Sequence, residues 1–182
     1  MLPPALHRIS DDVETMRARV LGEVAGLSQR QSDWNPTSKE WSVGEALHHL
    51  VLAEGIGGKL ITVTLKGAAE QGALPPYPQE AEKFEWTPPT PDDRWMVQAP
   101  EPAAPTSGQP IDELRKAMAQ QAEWTRKVLE RLTGVDPRAY TARHPIIGDM
   151  NLAQWCQFAA YHMGVHLRQI QEIKGAAGFP GQ

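Results

Sequence analysis

Ser42-Val43-Gly44-Glu45-Ala46-Leu47-His48-His49-Leu50 is the stretch on which the fold turns. A Ser followed three residues later by Glu forms a capping box. The Ser oxygen accepts an orphan backbone N–H of the first helical turn, and the Glu side chain reaches back to the N–H of the cap residue. The spacing therefore predicts a helix that opens at Ser42. From there Ala46, His49, Ala53, Ile56, Leu60 and Val63 recur at three and four, the period of one helical face. The pattern closes near Lys66-Gly67, a cation followed by a glycine.

Three further amphipathic segments lie on either side. Residues 4–28 place Leu6, Ile9, Val13, Met16, Val20, Val24 and Leu27 on one face, with Pro3 and Pro4 at a first turn that lacks intrahelical partners for its N–H groups. Residues 111–133 carry Leu114, Ala117 or Met118, Gln121, Trp124, Val128 and Leu132, with Gly134 as the stop and Gln121 as a polar intrusion. Residues 151–174, ahead of Gly175, carry Leu152, Trp155, Ala159, His162, His166, Ile170 and Ile173 on one stripe. No internal repeat and no alternating run long enough for a strand is present. The expected fold is an all-α four-helix bundle in one domain, residues 1–182.

Between the second and third segments, residues 68–110 hold ten of the sixteen prolines, including Pro75-Pro76, Pro88-Pro89 and three more between Ala99 and Pro105. A regular helix is excluded there. A connection of this length is usually a functional cover or a linker, and it is long enough to cross the bundle so that the helices it joins run parallel.

Composition narrows the function classes. Apolar residues make up 41% and charged residues 22% of the 182, as in an ordinary globular protein. The net charge of −4 leaves no basic footprint, so a nucleic-acid partner is not expected. Cys156 is the single cysteine, which excludes an intramolecular disulfide and a Cys-rich zinc site and fits a reducing compartment. The opening MLPPALHRISDDVE lacks the basic head and apolar run of a signal peptide, and no window reaches the ~18 apolar residues of a membrane span. A cytoplasmic protein without membrane contact is the expectation. Glu14, Arg17, Arg19, Glu113, Arg115, Lys116 and Glu130 read as a solvated face.

The polar residues on the inward stripes carry the chemistry. His162 and His166 are one helical turn apart, so one ion can bridge both rings, and His49 interrupts the second stripe in the same way. One inward histidine is more often a core residue bonded to a carbonyl or carboxylate. Three on two stripes would bury three imidazoles at about 1 to 3 kcal/mol per unsatisfied group, a cost that a shared divalent metal ion removes. Met163 stands where a zinc protease has its Glu, so that chemistry is not supported. His48 falls at the edge of the stripe, and His7 and His144 have no expected metal role. Glu45, one turn before His49, is a candidate to orient its ring. Gln121, Tyr161, Trp41, Trp124 and Trp155 are candidate pocket residues, though each of these types is commonly structural.

The string W-S-V-G-E-A-L-H-H-L from Trp41 to Leu50, with H-M-G-V-H-L-R-Q-I from His162 to Ile170, resembles the two signatures of the DinB-like superfamily. In that family a Trp precedes the first metal-ligand His by eight residues, as Trp41 precedes His49, and an H-x-x-x-H on the last helix supplies the other two ligands. The resemblance implies a three-His metal site of His49, His162 and His166 with an open coordination position. It implies zinc or nickel first, with cobalt, iron or manganese also compatible with imidazole. It implies a metal-dependent enzyme acting on a small-molecule substrate, either a thiol-dependent S-transferase or isomerase using a low-molecular-weight thiol, or a hydrolase. A homodimer is the default expectation from related bundles. The alternatives are a non-catalytic, stress-associated metal-binding bundle and a metal-free bundle whose crossover recruits a protein.

Overall fold

The computed structural model describes residues 1–72, 74–90 and 99–181. Among these, five helices and one hairpin occur in the order α1 (Pro4–Val24), α2 (Gln29–Ser32), α3 (Val43–Gln71), α4 (Ile111–Arg131), β1 (Thr141–His144), β2 (Gly148–Asn151) and α5 (Leu152–Gly175). The four long helices are those expected, and the chain is mostly helical.

Cross-helix contacts fix the directions. Val51 meets Gln121, Glu54 meets Thr125 and Gly58 meets Trp124 and Val128, so numbers rise together and α3 runs parallel to α4. His49 meets His162 and His166 while Gly57 meets Trp155, so α3 runs antiparallel to α5. Met16 lies by Gly164 and Glu23 by Lys174, which makes α1 and α5 parallel. The order is up-down-down-up, with α1 diagonal to α3. A parallel α3–α4 pair requires a connection along the whole bundle, and the proline-rich crossover provides it. Its positions 73 and 91–98 lie outside the described residues.

Several boundaries and roles differ from expectation. The capping box of Ser42 and Glu45 forms as predicted, with N···O distances of 3.1 and 2.8 Å. α3, however, runs through Gly67, because Ala68-Ala69-Glu70-Gln71 are strong helix formers that outweigh one glycine. It stops at Gly72, whose φ of +150° other residues rarely adopt. α1 ends at Val24 rather than 28, since Ser28 and Gln31 form a second capping box and open the one-turn α2. A two-stranded hairpin, pairing Thr141 with Asn151 and His144 with Gly148, appears where no strand was expected. Four-residue strands leave too short a pattern to read, and Trp155 Nε1 holds this pair to α5 by donating to the Ala142 carbonyl at 3.0 Å.

The inward face of α3 is also corrected. Leu47, Leu50, Ile61 and Leu65 are buried, whereas Val63 is 59% exposed. Because α3 is apolar on more than one side, two stripes were available, and the one read from sequence is the cavity-facing one described below.

Arg17 and Arg115 are not on a solvated face. Arg17, 2% exposed, makes a two-pronged ion pair with Glu54 at 2.7 and 2.8 Å and also donates to the Met118 carbonyl and Thr125 Oγ1, tying α1, α3 and α4 together. Arg115 donates to the Val24 and Leu27 carbonyls at the end of α1. Removing one partner of a buried pair strands the other charge, at a cost of about 3 to 5 kcal/mol. Arg17→Met is accordingly expected to lower stability by about that amount in urea unfolding, and Arg17→Met with Glu54→Leu to recover much of the loss.

Candidate metal centre

α3 and α5 run antiparallel and place His49 opposite His162 and His166, the latter pair one turn apart as their spacing requires. Nε2 of His162 lies 3.2 Å from Nε2 of His49 and 3.0 Å from Nε2 of His166. One ligand nitrogen from each ring falls within 4.8 Å of the other two. Two imidazole nitrogens on a tetrahedral zinc ion, each at about 2.0 to 2.1 Å, are separated by roughly 3.3 Å, so the spacing fits a shared divalent ion.

The outer nitrogens fix the protonation of the inner ones. His49 Nδ1 lies 2.8 Å from the carbonyl of Ala103, which can only accept, so the neutral ring turns a bare Nε2 inward. His166 Nδ1 lies 2.7 Å from Gln169 Oε1, with the same result. His162 Nε2 thus faces two lone pairs and has at most one proton to share between them. One contact is lone pair against lone pair unless a cation stands between the rings, and that chemistry of the donor set is what a divalent ion fits. The ring of Trp41 lies 5.0 Å from that of His49 and stacks at 5.9 Å and 19° on that of His166, so one indole contacts both.

A cavity of about 260 Å³ opens over the cluster. His49 and His162 form part of its wall, along with Ala53, Ile56 and Leu60 from α3, Trp155 and Phe158 from α5, Pro100, Pro102 and Ala103 from the crossover, and His144 from the hairpin. Of the stripe read as core in the sequence, Ala46 is buried as expected, and His49, Ala53, Ile56 and Leu60 face this space. Among the described residues no fourth His, Cys, Asp or Glu joins the cluster.

The other candidates fall elsewhere. Glu45 does not orient His49: its carboxylate accepts from the Ser42 N–H and from Asn35 Nδ2, and the orienting group is the Ala103 carbonyl, which no side-chain pattern announces. His48 Nδ1 accepts from the Thr106 N–H at 3.1 Å and stays outside the cluster. His7 pairs with Asp11 on the exposed face of α1. Gln121 donates to the Val51 carbonyl, and Tyr161 donates to the Pro89 carbonyl, so both are structural. Trp124 covers Gly58 inside the bundle and, with Trp155 and His162, lines a small apolar cavity of about 60 Å³ on the inner side of the cluster, so its pocket role is borne out there. Burial pushes the Cys156 thiol up to about 12, which keeps it protonated and inert.

Burial lowers the proton affinity of all the histidines around the site. It does so for His49 against the opposing pull of Ala103, and His162 is pushed well below its usual range by burial and by its imidazole neighbours. His166 falls to about 3 and His144 to about 4. These rings are neutral when folded and take up protons near pH 6.5 when unfolded, so the unfolded state gains protons first as pH falls. The metal-stripped protein is expected to hold its stability above about pH 7 and to lose it progressively between about 6.5 and 4. Urea midpoints across that range check this, and His166→Phe should flatten the slope.

Comparison with known proteins follows the same lines. A family model described as the DinB superfamily matches residues 12–170. The "Uncharacterized protein YuaE" of Bacillus subtilis (strain 168) is 26% identical over 164 residues, which cover 87% of this chain and 92% of that protein. No solved structure matches. With the family model spanning all four long helices and both histidine segments, the chain belongs to the DinB superfamily.

Proposed function

We propose that the protein holds one divalent metal ion on His49, His162 and His166 and uses it to act on a small molecule in the adjoining cavity. The observation that carries this reading is the meeting of three Nε2 atoms, two of them fixed as bare lone pairs, at the floor of an open, mostly apolar space. When bound, such an ion supplies Lewis-acid polarisation of a carbonyl oxygen or stabilises a thiolate. The chain's own residues do the rest. Ala103 and Gln169 fix the tautomers of His49 and His166, Trp41 buttresses their rings, and Trp155, Phe158, Ile56 and Leu60 exclude bulk water from one side of the cavity.

Thiol-dependent transfer or isomerisation with a low-molecular-weight thiol, and hydrolysis, are the reactions this arrangement favours, with zinc or nickel as the leading ions. Among the described residues no carboxylate joins the three rings to serve as a base there. A non-catalytic bundle is the competing reading, because an ion shared by α3 and α5 would also staple the fold. Turnover of thiol-addition and ester substrates by the loaded protein separates the two. A homodimer is proposed on the resemblance alone and a cytoplasmic location on the single cysteine; among the described residues no helix is long and apolar enough to cross a membrane.

Untagged protein is expected to carry close to one ion per chain by mass spectrometry and to lose it in His49→Ala, His162→Ala and His166→Ala alike. Metal retained by all three variants, or absent from wild type after reconstitution, would sink the reading. Replacing residues 99–106 with a glycine-serine segment of equal length keeps a carbonyl at position 103 but takes away the prolines that hold it against His49. It should weaken metal affinity about 10- to 100-fold in chelator competition while leaving the helical circular dichroism unchanged.

A further inference from the structure

The hairpin carries a group that the three-histidine cluster leaves unused. His144 ends β1, and its Nδ1 accepts the backbone N–H groups of Ile146 at 3.2 Å and Ile147 at 3.1 Å. A ring nitrogen that accepts two such bonds has no proton of its own, so the neutral imidazole carries its hydrogen on Nε2. Burial keeps the ring neutral down to about pH 4. Its orientation is fixed as well, because the ring packs 5.3 Å from Trp155 and 4.9 Å from Phe158, centroid to centroid. Phe158 in turn stacks on His162 at 5.0 Å and 21°, so one aromatic ring separates His144 from the cluster. His144 lines the same cavity as His49 and His162, and among the described residues its Nε2 has no hydrogen-bond acceptor.

We propose that His144 is a ligand-binding residue whose Nε2–H, held in place by the hairpin turn, donates a hydrogen bond to an oxygen of the small molecule that fills the cavity over His49 and His162. This rests on reading that cavity as the substrate site. The walls then define the ligand: an aromatic or branched aliphatic body lies against Trp41, Ile56, Leu60 and Trp155, and a carbonyl or carboxylate oxygen points to His144. A donor locked in one tautomer cannot become an acceptor, so a ligand presenting an amine N–H at that point is rejected. Arg143 and Glu101 also line the cavity, but the Arg143 side chain is 76% exposed and pairs with Asp149 at 3.3 Å, so the held, buried donor on this wall is His144.

The test uses the cobalt(II)-loaded protein, whose visible bands report ligand entry, with benzoate and benzenethiolate as probes. His144→Asn keeps an amide oxygen to accept the Ile146 and Ile147 N–H groups but removes the Nε2–H. It is expected to retain cobalt, to weaken benzoate about 10- to 100-fold, and to change benzenethiolate by no more than about twofold, because sulfur is a weak acceptor. Equal weakening of both probes, or of neither, overturns the proposal while leaving the metal centre standing. A wild type that takes up no cobalt overturns the metal reading and this proposal with it. Should the variant not fold, nitrogen NMR of the zinc-loaded wild type decides. A protonated Nε2 on His144 that shifts on adding benzoate supports the proposal, and a protonated Nδ1 overturns it.

Discussion

Three imidazole nitrogens converge on the wall of a largely apolar cavity, and neutral rings, two of them with fixed outer partners, are the condition for that convergence. The rings are anchored from different parts of the chain, His162 by the Phe158 ring stacked on it. His49 is held by a carbonyl of the crossover, His166 by a glutamine one turn further along its own helix, and both by the indole that precedes α3. Burial lowers the basicity of all three, so protons compete weakly for the lone pairs that a cation would use. A site built from neutral ligands also leaves a divalent ion with its full charge, which suits it to draw electron density from a bound oxygen or sulfur.

The up-down-down-up order gives that site its surroundings. Because α3 and α4 run parallel, the chain must return along the bundle before α4 begins, and the returning segment passes over the open side of the histidine cluster. Connection and roof are the same residues: Pro100, Pro102 and Ala103 wall the cavity, and Thr106 engages His48. The hairpin between α4 and α5 closes another side. Beneath this, the Arg17–Glu54 pair crosses the bundle diagonal and sets the approach of α1, α3 and α4 without entering the site.

Most of the fold was legible because its signals are local. Capping boxes, three-four periodicity and a proline-rich break mark the long helices and the crossover, and the register of His49, His162 and His166 anticipated their meeting. What escaped was non-local or weakly patterned. Arg17 stands four residues after Val13 and three before Val20, on the apolar stripe itself, and Glu54 stands four after Leu50 and four before Gly58 on the buried side of α3. Charges at those spacings signal a buried pair, but the second apolar stripe of α3 masked it. The Ala103 carbonyl could not be found at all, since a backbone acceptor leaves no trace in residue type. His144 was expected to have no metal role and lies outside the cluster, but the turn whose N–H groups fix its ring escaped along with the two short strands.

His49 and His162 are separated by 113 positions along the chain, with the crossover, α4 and the hairpin between them. During synthesis the first ligand is made long before the other two, and the helix that supplies both of those is the last to form. No nascent segment that ends before α5 can assemble the trio, because it offers His49 without its two partners. An ion held by all three rings would therefore bind only chains in which α5 has packed against α3.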